Sequence, residues 1–386
     1  EMIFGTESMS FETSDATKYR FLQKLVGQSL TPEAVAKGVP ALQESSEKVV
    51  DRMLSSAASS SDGTVVVEDM CKYLTLDVAW RQIIGLNLKG DDEIAAFHSA
   101  VKMWLKSLSN YLLFLLPWPA FLLRSTKTYR AKQYLDEKIM ERIDELKSEG
   151  PDGSTMSAML CATDEEDSSA KLSKKQVIDN TFLLLIAGSE TSSNTLTDAM
   201  LLLGLHPEAW DKLVKEQEDL VARRGPNLTK AQIDDECPYL DAVVRETMRI
   251  CPISGGGVRT VDETLVVDGV QVPKGWWAMY SVGLTHEADP KTRVEDGSHM
   301  DMRAGFRPER WLNEETRPTT EWMPFGAGHR FCLGHNLAIA EMRTFLAVMA
   351  RKVKAFDLVT DIDKVKWKEG VILTPKDGVV IAPHSN

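Results

Sequence analysis

The sequence predicts a mainly α fold with a small β subdomain. Apolar residues recur with helical periodicity from residue 17 to about residue 203, and the same period returns over residues 334 to about 351. In between, residues 264–273 read as two short strands around an Asp-Gly turn. With 386 residues, 43% of them hydrophobic, the chain is long enough to bury a large core around a ligand.

The clearest predicted helix begins at a capping box. Ser173 stands three residues before Gln176, so each side chain can bind the other residue's backbone N–H. The body of the helix covers residues 177 to about 203, which is roughly 40 Å at about 1.5 Å per residue. Gly204 is predicted to end the helix.

Charge and cysteine content exclude several classes of partner and site. The formal net charge is −12, which argues against nucleic acid, since phosphate binding needs a basic face. The five cysteines are far apart and include no C-x-x-C pair. This pattern fits a reducing compartment and disfavours a zinc site, a cysteine-ligated iron–sulfur cluster or a disulfide scaffold.

Residues 111–123 (YLLFLLPWPAFLL) form the longest apolar stretch, which is broken by Pro117 and Pro119. A bilayer span needs about 18 apolar residues or more. We therefore expect a buried helix end or loop here. A patch that dips into a membrane surface is the alternative, and it would give peripheral membrane contact.

A glycine-rich turn at residues 325–334 (FGAGHRFCLG) carries Cys332 and leads into the last predicted helix. A lone buried cysteine is usually inert. Here Gly326 and its neighbours let the backbone approach a flat ligand closely, and Phe325 can pack against such a ligand. Arg330 brings positive charge close to the sulfur and can pair with an acidic group of a cofactor. The turn is thus suited to hold a thiolate against a metal.

The turn resembles the F-x-x-G-x-R-x-C-x-G signature of the cytochrome P450 family, and every fixed position is filled. These positions are Phe325, Gly328, Arg330, Cys332 and Gly334. The resemblance implies that Cys332 is the axial ligand of a haem b iron. It also implies that Arg330, Phe325, Gly326 and Gly334 help to bind the cofactor. A thiolate on haem iron favours cleavage of the O–O bond.

A helix predicted to start near Pro238 carries Glu246 and Arg249, three residues apart. Alone, this is an ordinary surface pair worth about 0.2–0.5 kcal/mol. The resemblance makes it the E-x-x-R element of the family, with a third charge expected from Arg310 in residues 306–311 (FRPERW). If the three meet in the interior, they form a buried network that supports the haem-binding loop, a structural rather than a chemical role.

Residues 187–191 (AGSET) interrupt an apolar run inside the long helix. A glycine in mid-helix costs about 1 kcal/mol against alanine, so a helix-packing notch is one interpretation. The segment also resembles the A-G-x-(D/E)-T motif of the family, in which the helix opens over the haem. That resemblance implies that Ala187 borders the cofactor, that Thr191 hydrogen-bonds dioxygen, and that Glu190 helps to deliver protons through water.

Arg259 follows a run of three glycines and precedes the strand pair. A lone arginine is most often solvated. By resemblance, Arg259 occupies the place where the family's arginine binds a haem propionate, and guanidinium–carboxylate pairing is a sound reason for that choice. The other propionate is expected to meet a basic residue of the early helix, where Arg20 and Lys24 are the candidates.

The order of these elements resembles the family from about residue 4 to the C-terminus. It implies one domain over residues 1–386, helical at about 1–255 and 325–355, and β-rich at about 256–285 and 370–386. Family members usually carry an anchor or leader and further elements ahead of this starting point, so we expect an N-terminally incomplete chain. With an anchor, the protein would associate with the membrane of the endoplasmic reticulum or plastid; a soluble intracellular protein is the alternative.

The resemblance implies a haem-thiolate monooxygenase, eukaryotic in type, which inserts one oxygen atom of O2 into a lipophilic substrate. The surroundings of Arg259 and Arg310 are similar to the branch with retinoid and sterol hydroxylases, so a sterol, a retinoid or another isoprenoid, or a fatty-acid-like molecule is expected. Because no GxGxxG-type segment is present, an NADPH-dependent flavin reductase or a ferredoxin would supply electrons to a monomer. The expected docking surface, here called the basic patch, comprises Arg330, Arg343, Arg351, Lys352 and Lys354.

Two alternatives stay open. The first is a haem-thiolate enzyme that uses peroxide or rearranges lipid hydroperoxides, which would not need Glu190 and Thr191 as a proton relay. The second is a non-catalytic haem-binding remnant. Turnover with peroxide alone would favour the first, and thiolate ligation without any substrate oxidation would favour the second.

Overall fold

Helices dominate the part of the chain that the computed structural model describes, so the predicted mainly α fold with small sheets is confirmed. The described residues are 7–9, 16–106, 126–161, 171–319, 322–367 and 375–385. The apolar residues 111–123 lie outside them, so their predicted burial and the peripheral membrane contact stay predictions, as do the monomer and the cellular location. Among the described helices, none combines the length and the apolar character needed to cross a membrane.

The helices are numbered here in chain order. They are α1 (Ala16–Gly27), α2 (Pro32–Ser59), α3 (Val67–Val78), α4 (Asp91–Lys106), α5 (Lys127–Glu149), α6 (Thr155–Cys161), α7 (Lys174–Leu205), α8 (Pro207–Arg224), α9 (Lys230–Asp235), α10 (Pro238–Ile250), α11 (Val282–Glu287) and α12 (His335–Lys352). Short 3-10 turns, among them Pro308–Leu312 and Gly328–Arg330, and one π-helical turn at Ala79–Ile84 complete the helical structure of the described residues.

The strands form three small antiparallel sheets in the described residues. They are β1 (Val65–Val66), β2 (Gly256–Thr260), β3 (Leu265–Val267), β4 (Val270–Val272), β5 (Trp277–Ser281), β6 (Val353–Leu358) and β7 (Val380–Ser385). The β3–β4 hairpin turns at Asp268 and Gly269, both with positive φ, as the predicted Asp-Gly turn requires. β2 pairs with β5.

The C-terminal strand β7 lies within residues 370–386, a part predicted to be β-rich. It is hydrogen-bonded between β1 and β6, in a sheet separate from the one that β2 and β5 form. β6 follows α12 directly and begins at Val353, inside the part predicted to be helical at about residues 325–355. The partners of β7 are distant in sequence, so no local pattern could indicate them.

Two compact units divide the chain. The first comprises Glu1–Gly38 and Tyr73–Glu190, and the second comprises Val39–Lys72 and Thr191–Asn386. A single domain therefore stays a prediction. In the first unit α4 packs along α5, and Trp104 meets Phe182 edge-on with 4.9 Å between ring centroids.

The second unit has its core between α8, α10 and α12. α10 buries ten of its thirteen residues, and α12 is buried almost without interruption from Leu337 to Ala350. Each fully buried leucine, valine or isoleucine side chain contributes roughly 1.5–3 kcal/mol. This core fixes the end of α10 and the start of α12, the two places where the candidate site is built.

The capping box of the long helix is confirmed, and its predicted end is wrong. The Ser173 N–H donates to Gln176 Oε1 at 2.9 Å, and the Gln176 N–H donates to Ser173 Oγ at 3.1 Å. Gly204 lies inside α7, where a Cβ would come within 2.9 Å of the Leu358 Cβ. The glycine allows α7 to pack closely on β6, and the helix ends at Leu205.

Candidate active site

The Cys332 loop places a thiol at the N-terminus of α12. The Cys332 N–H donates to the Phe325 carbonyl at 3.0 Å and closes the loop. Burial raises the pKa of the Cys332 thiol, and the Gly334 N–H, which donates to the sulfur, lowers it in part. Helix N-termini favour negative charge, and a bound metal holds the sulfur as a thiolate. The sulfur is therefore placed to act as a ligand.

Aromatic rings brace the same loop. His335 packs edge-on against Phe331 and Phe325, with centroids 4.8 Å and 6.1 Å apart. The His335 Nδ1 lies 3.1 Å from the Cys332 carbonyl, which can only accept, so the ring donates there. These contacts fix the turn that carries the sulfur.

The structure brings Glu246, Arg249 and Arg310 together. Glu246 is fully buried and accepts from Arg249 Nε and Nη2, both at 2.9 Å, and from Arg310 Nε at 2.9 Å. Arg249 also donates to the carbonyls of His299 and Gly305. The network is therefore a satisfied buried cluster, and its support of the Cys332 loop stays a prediction.

Sequence reasoning missed two further donors to Glu246. The Trp311 indole N–H donates to Oε2 at 2.9 Å, and the Arg307 backbone N–H donates to Oε1 at 3.0 Å. Both lie with Arg310 in residues 306–311. Arg310 and Trp311 belong to the 3-10 turn Pro308–Leu312, and Arg307 is its N-cap. The signal for Trp311 was present in the sequence, since an indole N–H needs a partner when it is buried.

The polar residues 187–191 lie within α7. Thr191 and Ala187 are four residues apart and both exposed, so they share one helix face. A Cβ on Gly188 would lie 3.2 Å from Ile83 Cδ1, which supports a packing role for that glycine. Thr191 and Ala187 thus lie on an accessible face of α7, and Glu190 is half-buried. The roles of all three residues toward a cofactor stay predictions.

Two buried carboxyl groups of the second unit have no counter-ion among the residues that the structure describes. Burial raises the pKa of Glu341 to about 8, and Ser192 donates a hydrogen bond that lowers it in part. Burial and the nearby Glu68 raise the pKa of Asp198 well above its usual range. One oxygen of each carboxyl has no hydrogen-bond partner among the described residues. Glu341 therefore favours the protonated form at neutral pH.

Glu341 is expected to make the protein less stable as pH rises. The pKa of Glu341 is about 8 in the folded protein and 4.5 in the unfolded chain. The contribution of its protonated form to the free energy of unfolding is therefore fully present below pH 4.5 and is lost between pH 4.5 and 8. The limit of this slope is about 1.4 kcal/mol per pH unit. Urea denaturation across this range should show a flatter profile for Glu341→Gln than for the wild type. Glu314→Gln, at an exposed carboxyl, should keep the wild-type slope; a steep profile in both variants would contradict the assignment.

Arg259 lies on the exposed strand β2. Its Nη1 donates to the Val258 carbonyl at 2.9 Å, and its guanidinium carbon lies 5.5 Å from the centroid of the Tyr280 ring. Arg259 is exposed, so its guanidinium can reach an acidic group of a ligand. Arg20 and Lys24 are both exposed and four residues apart on α1, so the choice between them stays a prediction.

The basic patch needs correction. Arg343 is buried and donates to Asp234 at 2.8 Å and also to Asp241. Lys352 donates to Asp51 at 2.7 Å. Both side chains are neutralised by the protein's own carboxylates. Arg343 is buried with α12, whereas the Lys352–Asp51 pair lies at the surface. A five-residue docking patch is therefore wrong.

Cys332, the glycines of its loop and Arg259 fit a haem group. Gly326 and Gly328 have φ of +74° and +66°, and a Cβ at either would meet no described atom within 4 Å. The backbone therefore leaves room for a flat ligand beside the Cys332 thiol. The thiol supplies a soft ligand, and Arg259 can pair with a carboxylate.

Comparison with known proteins gives one consistent family. The family model described as Cytochrome P450 matches residues 3–382. Cytochrome P450 26A1 of Danio rerio is 25% identical over 365 residues, which cover 90% of this chain and 69% of that protein. The mitochondrial sterol 26-hydroxylase of Oryctolagus cuniculus is 28% identical over 392 residues, covering 96% and 70% of the two chains.

Solved structures agree with these relatives. Cyanobacterial CYP120A1 with retinoic acid bound superposes with a TM-score of 0.80 at 25% identity, over 100% of this chain and 82% of that chain. The cytochrome P450 CYP102L1 gives a TM-score of 0.83 at 21% identity, over 100% and 85% of the two chains, and shows the fold alone.

Proposed function

Because the chain belongs to the cytochrome P450 family, we propose that it inserts one oxygen atom of O2 into a lipophilic substrate, with electrons from a separate donor. Family membership makes the chain a haem-dependent monooxygenase, an oxidoreductase whose reaction consumes O2. The observation that carries the proposal is Cys332, whose sulfur accepts the Gly334 N–H at the N-terminus of α12. Haem b, held between the Thr191 helix and the Cys332 loop, is the proposed cofactor.

Each residue of the site has a proposed task. When bound, haem supplies the oxidising chemistry, because its iron activates O2 for oxygen transfer. Cys332 would hold the iron through its thiolate, and the Gly334 N–H would stabilise the negative charge on the sulfur. Arg259 and Arg330 would pair with acidic groups of the cofactor and orient it. Phe325 would pack against the cofactor.

Protons reach the reacting oxygen from α7 in this proposal. Transfer of one oxygen atom to a C–H bond leaves the second as water, which takes up two protons and two electrons. The exposed Thr191 hydroxyl would donate a hydrogen bond to dioxygen, and the half-buried Glu190 would exchange protons with water. An NADPH-dependent flavin reductase or a ferredoxin supplies the electrons; the lack of a GxGxxG-type segment in the 386 residues supports a separate donor.

The proposed substrate is an isoprenoid lipid of the retinoid or sterol kind. One relative is a sterol 26-hydroxylase, and one solved neighbour holds retinoic acid. Retinoic acid and sterols are both large and apolar with one polar end, the kind of molecule that small-molecule pockets of proteins commonly bind. Titration of the haem-loaded protein with retinoic acid and with a sterol, followed by haem absorbance, distinguishes the two. A fatty acid serves as the third ligand in the same assay.

Substitution of Thr191 with alanine is expected to uncouple the reaction. Without the hydroxyl, electrons and O2 are still consumed, but product per electron pair falls by about 10²-fold, the lower range for loss of positioned proton transfer. Product and oxygen consumption are measured in the same reaction. Thr197→Ala is the matched control, since Thr197 also lies in α7 and its hydroxyl donates to the Ser193 carbonyl at 2.8 Å.

The same assay separates the alternatives. Turnover with peroxide alone, equal in wild type and Thr191→Ala, would favour the peroxide-using or hydroperoxide-rearranging enzyme. A thiolate-type spectrum with carbon monoxide, but no oxidation of any substrate with a competent reductase, would favour the non-catalytic remnant. Product formation that needs both O2 and the reductase supports the proposal.

A further inference from the structure

Two buried side chains at the end of α11 hold the chain that enters the Cys332 loop. Asp289 Oδ2 accepts from both the N–H and the hydroxyl of Thr319, each at 2.7 Å. His286 Nε2 accepts from the Met323 N–H at 3.0 Å. Both His286 and Asp289 are 1% exposed. The chain is therefore tied at two points, four residues apart, just before Phe325.

The partners of His286 determine its protonation. The Met323 N–H can only donate, so Nε2 carries no proton. Nδ1 lies 3.1 Å from the Arg249 carbonyl, which can only accept, so Nδ1 carries the hydrogen. Burial lowers the pKa of His286, as does the nearby Arg249 charge, which agrees with a neutral ring. One neutral imidazole thus joins the end of α10 to the chain before the loop.

Hydrogen bonds continue from this tie to the sulfur. The Met323 carbonyl accepts from the Gly326 N–H at 3.0 Å, which closes a turn. Within that turn, the Phe325 carbonyl accepts from the Cys332 N–H at 3.0 Å. Two backbone hydrogen bonds therefore connect the position of Met323 to that of Cys332.

We propose that His286 is a positioning residue for the Cys332 loop. By holding the Met323 N–H against the end of α10, it fixes where the chain enters the loop and so where the sulfur lies. Asp289 holds the same segment at Thr319 and so also helps to fix where the chain enters the loop. This proposal rests on the proposed ligation of haem iron by Cys332.

Three variants test it. His286→Asn keeps a donor where Nδ1 lies, for the Arg249 carbonyl, but is too short to reach Met323. His286→Gln places an amide oxygen near the Nε2 position and can accept from Met323 again. His299→Asn is the matched control, because His299 is also buried, accepts from Val294 N–H through Nδ1, and contacts the Glu287 carbonyl through Nε2. Both asparagine variants lose one bond at the Nε2 position.

Two measurements read the outcome. The first is hydrogen exchange at the Met323 amide, which does not depend on haem ligation. It should be about tenfold faster in His286→Asn than in wild type, since one buried hydrogen bond is lost, and restored in His286→Gln. The second is the fraction of haem that gives the thiolate-type Soret band with carbon monoxide. It should fall several-fold in His286→Asn, recover in His286→Gln, and stay at the wild-type value in His299→Asn.

The results separate this proposal from the one on which it rests. If the wild type lacks the thiolate-type band, the proposed ligation by Cys332 fails, whatever the exchange data show. If the wild type has the band but His286→Asn behaves like His299→Asn in both measurements, the positioning role is overturned. If His286→Asn does not fold, His286→Gln decides alone: a wild-type band supports the tie to Met323, and loss of the band contradicts it.

Discussion

Replacement of Cys332 with alanine is expected to abolish both the thiolate-type Soret band with carbon monoxide and all O2-dependent product formation. The loop presents this one sulfur at the start of α12, with the Gly334 N–H as its hydrogen-bond donor. Alanine removes the ligand but leaves the backbone links of the loop in place. A thiolate favours O–O cleavage, so the loss of catalysis is complete rather than partial. Absorption spectra and product analysis of the purified variant check the result.

Cys251→Ala is the control for this experiment. Cys251 is a buried thiol of the same unit, and burial raises its pKa well above the usual range, so it stays a neutral thiol. This variant should keep the thiolate-type band, apart from the stability lost with a small buried side chain. A band that survives in Cys332→Ala would mean that another cysteine supplies the ligand.

Neutralisation of Glu246 is expected to destabilise the second unit strongly. The carboxylate accepts from Arg249, Arg310, Trp311 and the Arg307 N–H. Glu246→Gln keeps the size of the side chain, but an amide NH2 replaces one carboxylate oxygen. That NH2 cannot accept the hydrogen bonds that the oxygen accepts. Arg249, 1% exposed, is then left as an uncompensated buried charge, which costs about 3–5 kcal/mol. The free energy of unfolding in urea measures this loss.

An exposed ion pair provides the comparison for Glu246. Glu309 pairs with Lys212 at 2.6 Å, and both side chains are about half exposed. Glu309→Gln should lower the free energy of unfolding by no more than about 1 kcal/mol, the upper range for exposed pairs. Equal losses in the two variants would show that burial does not make the Glu246 network special.

The sequence predicts those parts of the fold and site that depend on neighbouring residues. Ser173 and Gln176 form their capping box within one turn, and Asp268 and Gly269 form their own turn. The Cys332 loop is also local, because its closing hydrogen bond joins residues 325 and 332. In each case the residues that make the structure are the residues that carry the pattern.

The features that sequence reasoning missed depend on residues that are distant along the chain. Gly204 lies inside α7 where the helix packs closely against Leu358, and Arg343 is neutralised by Asp234 and Asp241. His286 is the same kind of case, since Met323 meets it across 37 positions. No local pattern reports such contacts, and a charge or a glycine keeps several interpretations until its spatial neighbours are known.

The central place of β7 has a consequence for protein production. β7 is hydrogen-bonded on both sides, to β1 and to β6. A shortened form that ends before residue 380 would leave two strands with open edges, and open edges recruit other chains into aggregates. Expression boundaries and C-terminal labels are therefore best placed beyond Ser385, where both ladders are complete.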